Sequence, residues 1–549
     1  AGNIGVSHNT ALGTGAATLA DGTTVLLNSS VTAVANDWVI NGATTLNASS
    51  VTATLSGRIN GAGGWLINAG SGTLTLSGDN AYTGNTTLNA GTVITTHLHA
   101  LGNNSAVSLS NVNGTLLQLN SSLNVGSLTG GGTTGGNLVL GTGAVLTAGA
   151  DNTSSTFDGA ISGAGGLAKS GTGTWTLTSN GTYTGATTVN AGALVLSNNA
   201  PTTASVSFGG AGSLRIESVG TGFTGAFSTS GWTFANTLGG LTVGKATNTS
   251  AVSLYDATIA GPITAYGGTI NVNGNLNTTA AAAVGDVLLK SSGDISLAST
   301  KSITTNGGDV VLWSNSDNQT STGSIMLYGG SSITTGGGHL WMAGGADSAT
   351  QWHGLTVGDG YAVSGTTISG TGNAANFDKV GVFLEEATLS TSGGDIYIRG
   401  KTTTFRGFLA TGTVDVNAGS GKIYIEGQAV GDGGGAGIGW HHSTTTAYRN
   451  GIFTLTSSNA ASDAITWISD ASQSVGTGLV SNGAGEGAGM AGTTSLVATG
   501  GGGISFTSLG SSTKAGAYGV RLGYLTTQGG VLNLLADSGV ITLNTGTRS

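Results

Sequence analysis

SGDISLASTKSITTNGGDVVLWSNSD at residues 292–317 is followed by TGSIMLYGGSSITTGGGHLWMAGGAD at residues 322–347, and the two segments are copies of one unit. They align without a gap at an offset of 30 residues, which places Ile303 opposite Ile333. Short aliphatic clusters alternate with Ser, Thr, Asn and Gly in each copy, a pattern typical of strands bounded by turns. A fixed period of roughly 20–50 residues indicates a solenoid. The stretch therefore predicts an all-β fold in which each coil contributes three short strands, a parallel β-helix.

The composition supports this fold and excludes several classes of protein. The 549 residues are too many for one ordinary globular core, whereas the core of a solenoid grows with the number of its coils. Glycine accounts for 102 residues and proline for only 2, so the chain is not collagen-like. Charged residues make up 7% of the chain, and the net charge of −9 comes without a basic cluster. The sequence therefore predicts no binding of nucleic acid.

The absence of cysteine and of long apolar runs bears on the location of the chain. A cysteine-free chain of this length fits an exported bacterial protein better than a disulfide-stapled domain or a zinc protein. No apolar run approaches the roughly 18–20 residues of a membrane-spanning helix, so we expect no transmembrane segment in this piece. The opening residues, AGNIGVSHNT, show neither an initiator Met nor a signal peptide. We expect a processed piece of a longer exported chain.

A second repeat lies nearer to the start of the chain. Gly-Ala-Gly-Gly at 61–64, Gly-Thr-Leu-Thr-Leu at 72–76, Tyr-Thr-Gly at 82–84 and Asn-Ala-Gly at 89–91 recur in the same order between residues 163 and 192, at offsets of 101 or 102 residues. We expect its glycines to supply corners with positive φ. The second copy, GAGGLAKSGTGTWTLTSNGTYTGATTVNAGALVLSN, resembles the autotransporter passenger-associated β-strand repeat. That resemblance implies a right-handed parallel β-helix carried on a bacterial surface protein.

From Leu241 the sequence changes to LTVGKATNTSAVSLYDATIAGPITAYGGTINVNGNLN, which is followed by the 30-residue repeat. This second half of the chain, from about residue 241 to the end, is similar to the large exoproteins related to filamentous haemagglutinin. Together the two resemblances imply a bacterial surface adhesin or extracellular filament protein, secreted or displayed at the cell surface. They leave the export route open between the autotransporter and the two-partner pathways.

The style of the repeats divides the chain into three parts. Residues 1–200 carry the autotransporter-type repeats, residues 201–240 form an irregular bridge or widened rungs, and residues 241–549 carry the 30-residue repeats. The hydrophobic pattern of the third part is interrupted near residues 343–379 and 429–450 and resumes in register after each interruption. Insertions of this kind are loops on one face of a coil, so the sequence predicts an elongated rod with a few inserted loops.

The two predicted loops carry the candidate binding residues, since loops on a rigid scaffold commonly supply binding groups. Aromatic rings can stack on the faces of sugars, and Arg can hold a carboxylate through two hydrogen bonds. We therefore predict a ligand-binding surface formed by the aromatic, histidine and arginine side chains of these loops: Trp352, His353, Tyr361, Trp440, His441, His442, Tyr448 and Arg449. The alternative is that these rings only hold their own loops against the coil.

Three aspartates open predicted strands, each directly after a glycine: Asp294, Asp309 and Asp395. An Asx turn, in which the side chain accepts a hydrogen bond from the nearby backbone, accounts for this position. A calcium site or an acidic catalytic site is the alternative, but the glycine-rich calcium nonapeptide does not occur in the sequence.

No catalytic or metal-binding set stands out elsewhere. Glu385 and Glu386 are adjacent, but neighbours in a strand point to opposite faces, so we expect solvated or loop positions rather than a pair that flanks a substrate. His97 and His99 would share one strand face, yet no third ligand is visible beside them, which favours surface histidines over a zinc site. A nucleophile elbow, a P-loop and a zinc-binding helix motif are all absent. We expect no metal, no cofactor and no enzymatic activity.

These observations favour a structural role. We predict an adhesive segment of a large cell-surface or extracellular filament protein, a rod that presents contact surfaces to glycans or proteins of a host or neighbouring cell. Further copies or segments of itself, joined end to end, are a second kind of predicted partner. The alternative is a polysaccharide-binding or polysaccharide-degrading β-helix, whose mark would be two or three acidic residues that converge on one sheet near Glu385 or Asp415.

Overall fold

The structure is a computed structural model of the whole chain, and short parallel strands make up nearly all of its regular structure. No α-helix occurs in the described ranges. The structure describes residues 2–198, 207–281, 284–318, 323–346, 350–363, 379–403, 406–431, 436–440, 451–474, 479–481, 493–499, 501–510, 520–521, 531–536 and 541–547.

The strands follow one another in chain order at intervals of a few residues. The strands up to residue 243 are β1 (Asn3–Val6), β2 (Ala17–Leu19), β3 (Thr24–Leu27), β4 (Ala33–Val34), β5 (Trp38–Ile40), β6 (Thr44–Asn47), β7 (Thr52–Leu55), β8 (Ile59–Asn60), β9 (Trp65–Leu76), β10 (Thr86–Thr95), β11 (Ala106–Leu109), β12 (Leu116–Leu119), β13 (Leu123–Val125), β14 (Ser127–Gly130), β15 (Asn137–Leu140), β16 (Val145–Ala148), β17 (Ser155–Phe157), β18 (Ile161–Gly163), β19 (Gly166–Lys169), β20 (Thr174–Leu177), β21 (Thr187–Val189), β22 (Ala193–Ser197), β23 (Ser207–Gly209), β24 (Ser213–Glu217), β25 (Phe227–Ser228), β26 (Thr233–Phe234) and β27 (Gly240–Val243).

The later strands are on average longer. They are β28 (Val252–Leu254), β29 (Ala257–Ile259), β30 (Ile263–Gly267), β31 (Ile270–Val272), β32 (Leu276–Ala281), β33 (Val287–Ser291), β34 (Ile295–Leu297), β35 (Ser302–Asn306), β36 (Val310–Trp313), β37 (Ile325–Leu327), β38 (Ser332–Thr334), β39 (Leu340–Ala343), β40 (Gln351–Trp352), β41 (Leu355–Thr356), β42 (Ala362–Val363), β43 (Val380–Glu385), β44 (Thr388–Ser390), β45 (Ile396–Thr402), β46 (Arg406–Thr411), β47 (Val414–Gly419), β48 (Ile423–Gly431), β49 (Ala436–Trp440), β50 (Ile452–Ser457), β51 (Ile465–Ser474), β52 (Leu479–Ser481), β53 (Thr493–Ala498), β54 (Ile504–Gly510), β55 (Val520–Arg521), β56 (Val531–Ala536) and β57 (Ile541–Thr547).

The chain divides into two compact units. Unit 1 comprises Ala1–Thr224 and Gly231–Thr242, and unit 2 comprises Gly225–Ser230 and Val243–Ser549. The division at residues 200 and 240 that the repeat style suggests stays a prediction.

Unit 1 contains three stacks of parallel strands. The first stack is β1, β3, β6, β9, β10, β11, β14, β17, β20, β22 and β24. The second is β4, β7, β9, β10, β12, β15 and β18, because β9 and β10 are long enough to continue from the first stack into the second. The third consists of β2, β5 and β8, and later of β13, β16, β19, β21, β23 and β26. Since crossovers between parallel strands are right-handed, unit 1 is a right-handed parallel β-helix.

Equivalent side chains of successive coils in unit 1 lie directly above one another. Val25 is in register with Leu46, Leu46 with Ile67, Ile67 with Leu88, and Leu88 with Leu109. Each step is 21 residues, and all five side chains are buried. The coils therefore place aliphatic groups on aliphatic groups throughout this column, which removes their surface from water.

The two copies of the repeat in unit 1 occupy different stacks. Residues 73–76 of the first copy lie in the second stack, as part of β9, and are in register with β7. Residues 174–177 of the second copy form β20, which lies in the first stack between β17 and β22. The offset of 101 or 102 residues is therefore not a whole number of coils.

The glycines of the repeat allow successive coils to approach closely. A Cβ atom added to Gly84 would lie 2.2 Å from the carbonyl oxygen of Gly63, one coil earlier. Gly185 has the same relation to Gly165, at 2.3 Å. Gly61 adopts the positive φ predicted for the corners, 108°. The repeat therefore needs glycine for close packing as well as for its corners.

Unit 2 has the same three-stack architecture with longer coils. Its first stack is β25, β28, β31, β34, β37, β43, β46, β49, β52 and β55. Its second is β29, β32, β35, β38, β44, β47, β50, β53 and β56. Its third is β30, β33, β36, β39, β45, β48, β51, β54 and β57. Within the stretch 429–450, β49 belongs to the first stack, and residues 432–435 and 441–450 lie outside the described residues.

The register predicted from the 30-residue repeat is confirmed. Ile303 is paired with Ile333, and after the insertion Ile333 is paired with Leu389. The same holds at Ile295 and Ile325. The predicted fold class, an all-β right-handed parallel β-helix, is thereby confirmed for the described parts of the chain.

A column of buried threonines runs along one inner corner of unit 2. The hydroxyl of Thr305 lies 2.5 Å from Gly308 O in its own coil and 3.0 Å from Thr335 O in the next. Thr335 bonds Gly338 O and lies 3.3 Å from Thr391 O in the same way. Each hydroxyl thus satisfies backbone carbonyls at a corner where the strand ladder is interrupted.

Replacing Gly84 with alanine tests the close packing of the coils. We expect Gly84→Ala to destabilise unit 1 by about 1–3 kcal/mol, because the new methyl group overlaps the Gly63 backbone. Gly15→Ala is the matched control, since no atom lies within 4 Å of a Cβ at that position. Urea unfolding of the full chain measures both variants. Equal midpoints would contradict the close packing.

Candidate functional site

Aromatic side chains lie above one another on the outer face of the third stack in unit 2. Trp341 of β39 is in register with Tyr397 of β45, and Tyr397 with Tyr424 of β48. These side chains alternate with inward aliphatic residues, so they point away from the core. The ring centroids of Trp341 and Tyr397 are 6.5 Å apart at an interplanar angle of 5°, and those of Tyr397 and Tyr424 are 4.8 Å apart at 10°. The ladder spacing of about 4.8 Å thus brings the rings into stacking contact.

A polar column runs beside the aromatic one, at the start of the same strands. The Asp309 carboxylate accepts the backbone N–H of His339 at 2.7 Å, and Nδ1 of His339 accepts the N–H of Asp395 at 2.8 Å. The Asp395 carboxylate then accepts the N–H of Lys422 at 2.7 Å. Asp294 likewise accepts the N–H of Ser324, 30 residues later. The predicted role of these aspartates in Asx turns is therefore wrong, because they bind the backbone of the next coil.

A segment inserted between β39 and β43 covers part of this outer face. We call its residues 350–363 the cover segment. Strands β40 and β41 form an antiparallel hairpin whose two turn residues, His353 and Gly354, both have positive φ (48° and 83°). Two positive φ values match a type I′ turn. Val357 is buried against Trp313 and Trp341, so the hairpin is held on the sheet by apolar contacts.

The hairpin places Trp352 and His353 against the two columns. The Trp352 ring lies 5.9 Å from that of Tyr397. The His353 ring stacks on that of His339 at 3.8 Å and 10°, and its Nε2 lies 2.8 Å from Oδ2 of Asp395. The cover segment therefore extends the aromatic face and binds the polar column at one point.

Trp352, Tyr397 and Tyr424 surround an open cleft of about 160 Å³. All three rings are half-exposed. Its remaining lining is Asp395, Ile396, Lys422, Ile423, Asp463 and Thr466. Lys422 Nζ and Asp463 Oδ1 form an exposed ion pair of 2.8 Å at its rim. The cleft thus combines aromatic walls with polar groups that can exchange hydrogen bonds with a ligand.

Tyr361 lies farther along the same sheet and is part of a charged network. Its hydroxyl donates to Oε1 of Glu426 at 2.5 Å, and its ring lies 3.9 Å from Cζ of Arg399. Arg399 Nε and the hydroxyl of Tyr424 both donate to Oε2 of Glu426 at 2.8 Å. Burial and the bond to Glu426 raise the pKa of Tyr361 above its ordinary value. This network holds the second end of the cover segment on the sheet.

Tyr361 lines a second cleft, of about 240 Å³. Its lining is Asn315, Asn318, Gly360, Tyr361, Val363, Lys401, Thr403 and Val430. Of the rings that line the two clefts, only Tyr361 lies here, so this cleft offers less stacking surface than the first.

The residues predicted from the loops fall into two groups. Trp352, His353 and Tyr361 lie on the outer face of one sheet, as described above. Trp440 ends β49, but its side chain lies outside the described residues, as do four further candidates: His441, His442, Tyr448 and Arg449. The binding role of all eight stays a prediction.

Sequence reasoning missed the strand residues of the cleft. Tyr397 and Tyr424 belong to β45 and β48, not to a loop. The signal that could have found them is the alternation of aromatic and aliphatic residues in Leu340–Ala343 and Ile396–Thr402, read at the coil offset.

The acidic residues considered for catalysis do not converge. Glu385 is buried in the first stack, where its carboxylate accepts the N–H of Gly329 at 3.1 Å. The prediction that it is solvated is wrong, because the outer face of β43 is covered by side chains packed around Phe383. Asp415 lies in the second stack, between Thr388 and Thr454.

His339, His353 and Asp395 lie close enough for a metal ion to contact all three. Both oxygens of Asp395 already accept hydrogen bonds, from Lys422 N and from the His353 ring. Nδ1 of His339 accepts the N–H of Asp395. These groups have structural partners, so we assign them to holding the cover segment.

Comparison with known proteins gives two similarities. Residues 66–94 and 167–196 match the passenger-associated-transport-repeat family. A stretch of 92 residues is 46% identical to the adhesin BmaC autotransporter of Brucella suis biovar 1 (strain 1330). That stretch is 16% of this chain and 3% of the Brucella protein, so the chain spans a small part of the relative that it matches. No solved structure matches the chain significantly.

The predicted resemblance to autotransporter passengers is confirmed by these repeats, and with it the extracellular, surface-associated location. The resemblance of the second half to filamentous haemagglutinin stays a prediction. In the described part of the chain, no helix has the length and apolar character needed to cross a membrane.

Acidic pH should weaken the attachment of the cover segment. Burial, together with the neighbouring His353, lowers the pKa of His339 below its ordinary value of 6.5, against the opposite effect of Asp309 and Asp395. The folded protein therefore binds fewer protons than the unfolded chain. The resulting stabilisation is complete above pH 6.5 and is lost as the pH falls through the lowered value.

His339→Asn tests this prediction, because its amide oxygen can still accept the Asp395 N–H but does not titrate. We expect the wild-type thermal midpoint to fall more than that of the variant when the pH is lowered from about 7.5 to about 5. Calorimetry at both pH values measures the difference. Equal decreases in the thermal midpoints of the wild type and the variant would contradict this role of His339.

Proposed function

We propose that this chain is an adhesive passenger segment of a bacterial surface protein, and that the cleft between Trp352, Tyr397 and Tyr424 binds a sugar ring of a surface glycan. The observation that carries the proposal is the set of three half-exposed rings around one cleft with a polar rim. The similarity to an adhesin autotransporter supports the adhesive role.

Aromatic walls suit a sugar because one face of a pyranose ring carries mostly C–H groups. Such a face packs on an aromatic ring without leaving a hydroxyl group unpaired. Tyr397 and Tyr424 present their rings at an interplanar angle of 10°, and Trp352 approaches Tyr397 at 49°. A sugar ring that enters the cleft therefore meets the stacked pair Tyr397 and Tyr424 and the tilted ring of Trp352.

The polar rim suits the hydroxyl groups of the same ligand. Asp395 is fixed by its bonds to Lys422 N and to His353, so its carboxylate keeps a constant orientation toward the cleft. The Lys422–Asp463 pair is exposed, and exposed ion pairs contribute little to stability. Both partners can therefore redirect hydrogen bonds to a ligand at low cost.

The size of the cleft favours one ring over a long buried chain. Its volume of about 160 Å³ lies below the roughly 300–1,000 Å³ of pockets that enclose drug-sized ligands. We expect weak binding at a single cleft, with a Kd on the order of 0.1–10 mM. Adhesion then depends on many copies that bind one surface simultaneously.

Binding without turnover accounts for the site better than hydrolysis. Glycoside hydrolysis requires one carboxyl that donates a proton and a second that acts as nucleophile or base. At this cleft Asp395 accepts hydrogen bonds at both oxygens, and Asp463 pairs with Lys422. Both carboxyl groups of the cleft therefore already have structural partners. We therefore propose a non-enzymatic role, and release of reducing ends from a bound polysaccharide would contradict it.

Tyr424→Ala tests the proposed cleft. We expect the full chain to bind a subset of neutral, amino or acidic oligosaccharides on an array, and we expect the variant to bind that subset at least tenfold more weakly. The reason is the loss of one aromatic wall, whereas the inner face of β48 is unchanged. Trp352→Ala should have the same effect.

Tyr255→Ala is the matched control, because Tyr255 is also a half-exposed tyrosine of unit 2 but lies outside the cleft. Its glycan binding should equal that of the wild type. Thermal midpoints of all variants verify that they are folded. Unchanged binding by both Tyr424→Ala and Trp352→Ala, or no glycan binding by the wild type, would refute the proposed cleft.

A further inference from the structure

A set of metal-ligating side chains lies in unit 1, far along the chain from the cleft. Asp79, His97 and His99 each offer a ligand atom, and these atoms all lie within 4.8 Å of one another. Nδ1 of His99 is 2.9 Å from Oδ1 of Asp79, and Nδ1 of His97 is 3.7 Å from the same oxygen. The two imidazole rings are 5.9 Å apart. The three side chains therefore converge on one point at the surface.

Stacking of the coils produces this convergence. His97 and His99 do not lie on a strand face, as the sequence suggested, but in the turn that follows β10. Asp79 follows β9, and β9 and β10 are in register. Asp79 and His99 are 20 residues apart, about one coil. The third ligand was invisible in the sequence because only the coil period brings it to the histidines.

The backbone on both sides of the cluster is held in place. Asn80, next to Asp79, is buried and accepts the N–H of Ile59 at 2.8 Å, and its amide donates to Ala100 O at 2.7 Å. Asn80 thus ties the coil of Asp79 to the coil below and to the turn that carries the histidines.

The turn of the histidines has its own internal bonds. The N–H of Ala100 donates to His97 O at 3.1 Å, and the N–H of Gly102 donates to His99 O at 3.0 Å. Ala100 and Leu101 are fully buried beneath it. A ligand set on such a backbone loses little conformational freedom when it binds an ion.

We propose that Asp79, His97 and His99 form a binding site for a divalent transition-metal ion, with Zn²⁺ as the ion that the ligands suit best. Two imidazole nitrogens and one carboxylate oxygen are a ligand set that zinc uses with one position left open. Ligand atoms at about 2.0–2.2 Å from a tetrahedral zinc are roughly 3.3–3.5 Å from one another. The distances of 2.9 and 3.7 Å bracket that value, so small side-chain rotations suffice.

The bonds that the ion would replace are few. His99 shares a hydrogen bond with Asp79, and Nδ1 of His97 accepts the His99 N–H at 3.2 Å. Asp79 is exposed, and an exposed aspartate is a carboxylate at neutral pH. All three side chains are partly exposed, and an ion can enter directly from solvent.

The site would connect two coils. Metal binding joins Asp79 of one coil to the histidines of the next, and it therefore stabilises the folded chain over the unfolded one. All three ligands are partly exposed, so a bound ion would take water as its fourth ligand.

Zn²⁺ titration of the full chain by calorimetry tests the proposal, with three variants: Asp79→Asn, His97→Ala and His99→Ala. We expect each variant to lose one equivalent of binding or to bind it at least tenfold more weakly. His8→Ala is the matched control, because His8 is exposed in the same unit and lies outside the cluster. Its titration should equal that of the wild type. Other histidines can contribute binding common to all proteins, and that component cancels in the comparison.

Thermal unfolding distinguishes a variant that has lost a metal ligand from a variant that does not fold. Without metal, the three variants should have the same thermal midpoint as the wild type, since the substituted side chains are on the surface. With excess Zn²⁺, the midpoint of the wild type and of His8→Ala should rise, and that of His99→Ala should not. Zn²⁺ binding and a Zn²⁺-dependent rise in midpoint that are the same in all five proteins would overturn the site.

Discussion

The hydrogen-bond ladder between successive coils is the constraint on which the rest of the structure depends. Parallel strands in register place each side chain directly above its counterpart in the preceding coil, at a spacing of about 4.8 Å. Inside the coil this makes columns such as Val25, Leu46 and Ile67, in which apolar surface is continuous. Outside the coil the same rule aligns groups that are distant in sequence, and the candidate sites of both units arise in this way.

Stacking also imposes demands that the side chains must meet. Backbone that approaches within contact distance of the preceding coil requires glycine, as at Gly84. Corners interrupt the ladder, and buried hydroxyls such as that of Thr335 satisfy the carbonyls there. A column of outward aromatic rings would expose a large apolar face to water. The cover segment buries Trp313 and Trp341 but leaves Tyr424 accessible, so the exposed part of this column lies at the cleft.

The sequence predicted those features that repeat at a visible period. The 30-residue offset correctly paired Ile303 with Ile333, since the two copies align without a gap. The pairing of Ile333 with Leu389 across the insertion could also be predicted, because the strand pattern resumes in register. Trp352 and Tyr361 were picked out by residue type and by their place in a predicted loop. Their relation to the strands depends on how the cover segment folds back.

Other features could not be predicted because they depend on contacts between coils that local patterns do not encode. The sequence suggests that Glu385 and its neighbour Glu386 are both exposed, yet packing around Phe383 buries Glu385. The sequence does not show that Asp79 lies beside His99. The repeat of unit 1 recurs at 101 or 102 residues, and the coil length of about 21 residues cannot be read from that offset. Asp395 looks like a turn residue, although its carboxylate binds the backbone 27 residues later. In each case the missing information was the register of the neighbouring coil.

Disulfide formation between introduced cysteines measures that register most directly, because the natural chain contains no cysteine. Thr304 is paired with Thr334, and their Cα atoms at the parallel-strand spacing of about 4.8 Å can be bridged. The stacked-coil account predicts that Thr304→Cys with Thr334→Cys forms an intramolecular disulfide on mild oxidation, seen by mass and by non-reducing electrophoresis. Ser302→Cys with Thr334→Cys is offset by two residues and should remain reduced. Equal cross-linking of both pairs, or of neither, would contradict the account.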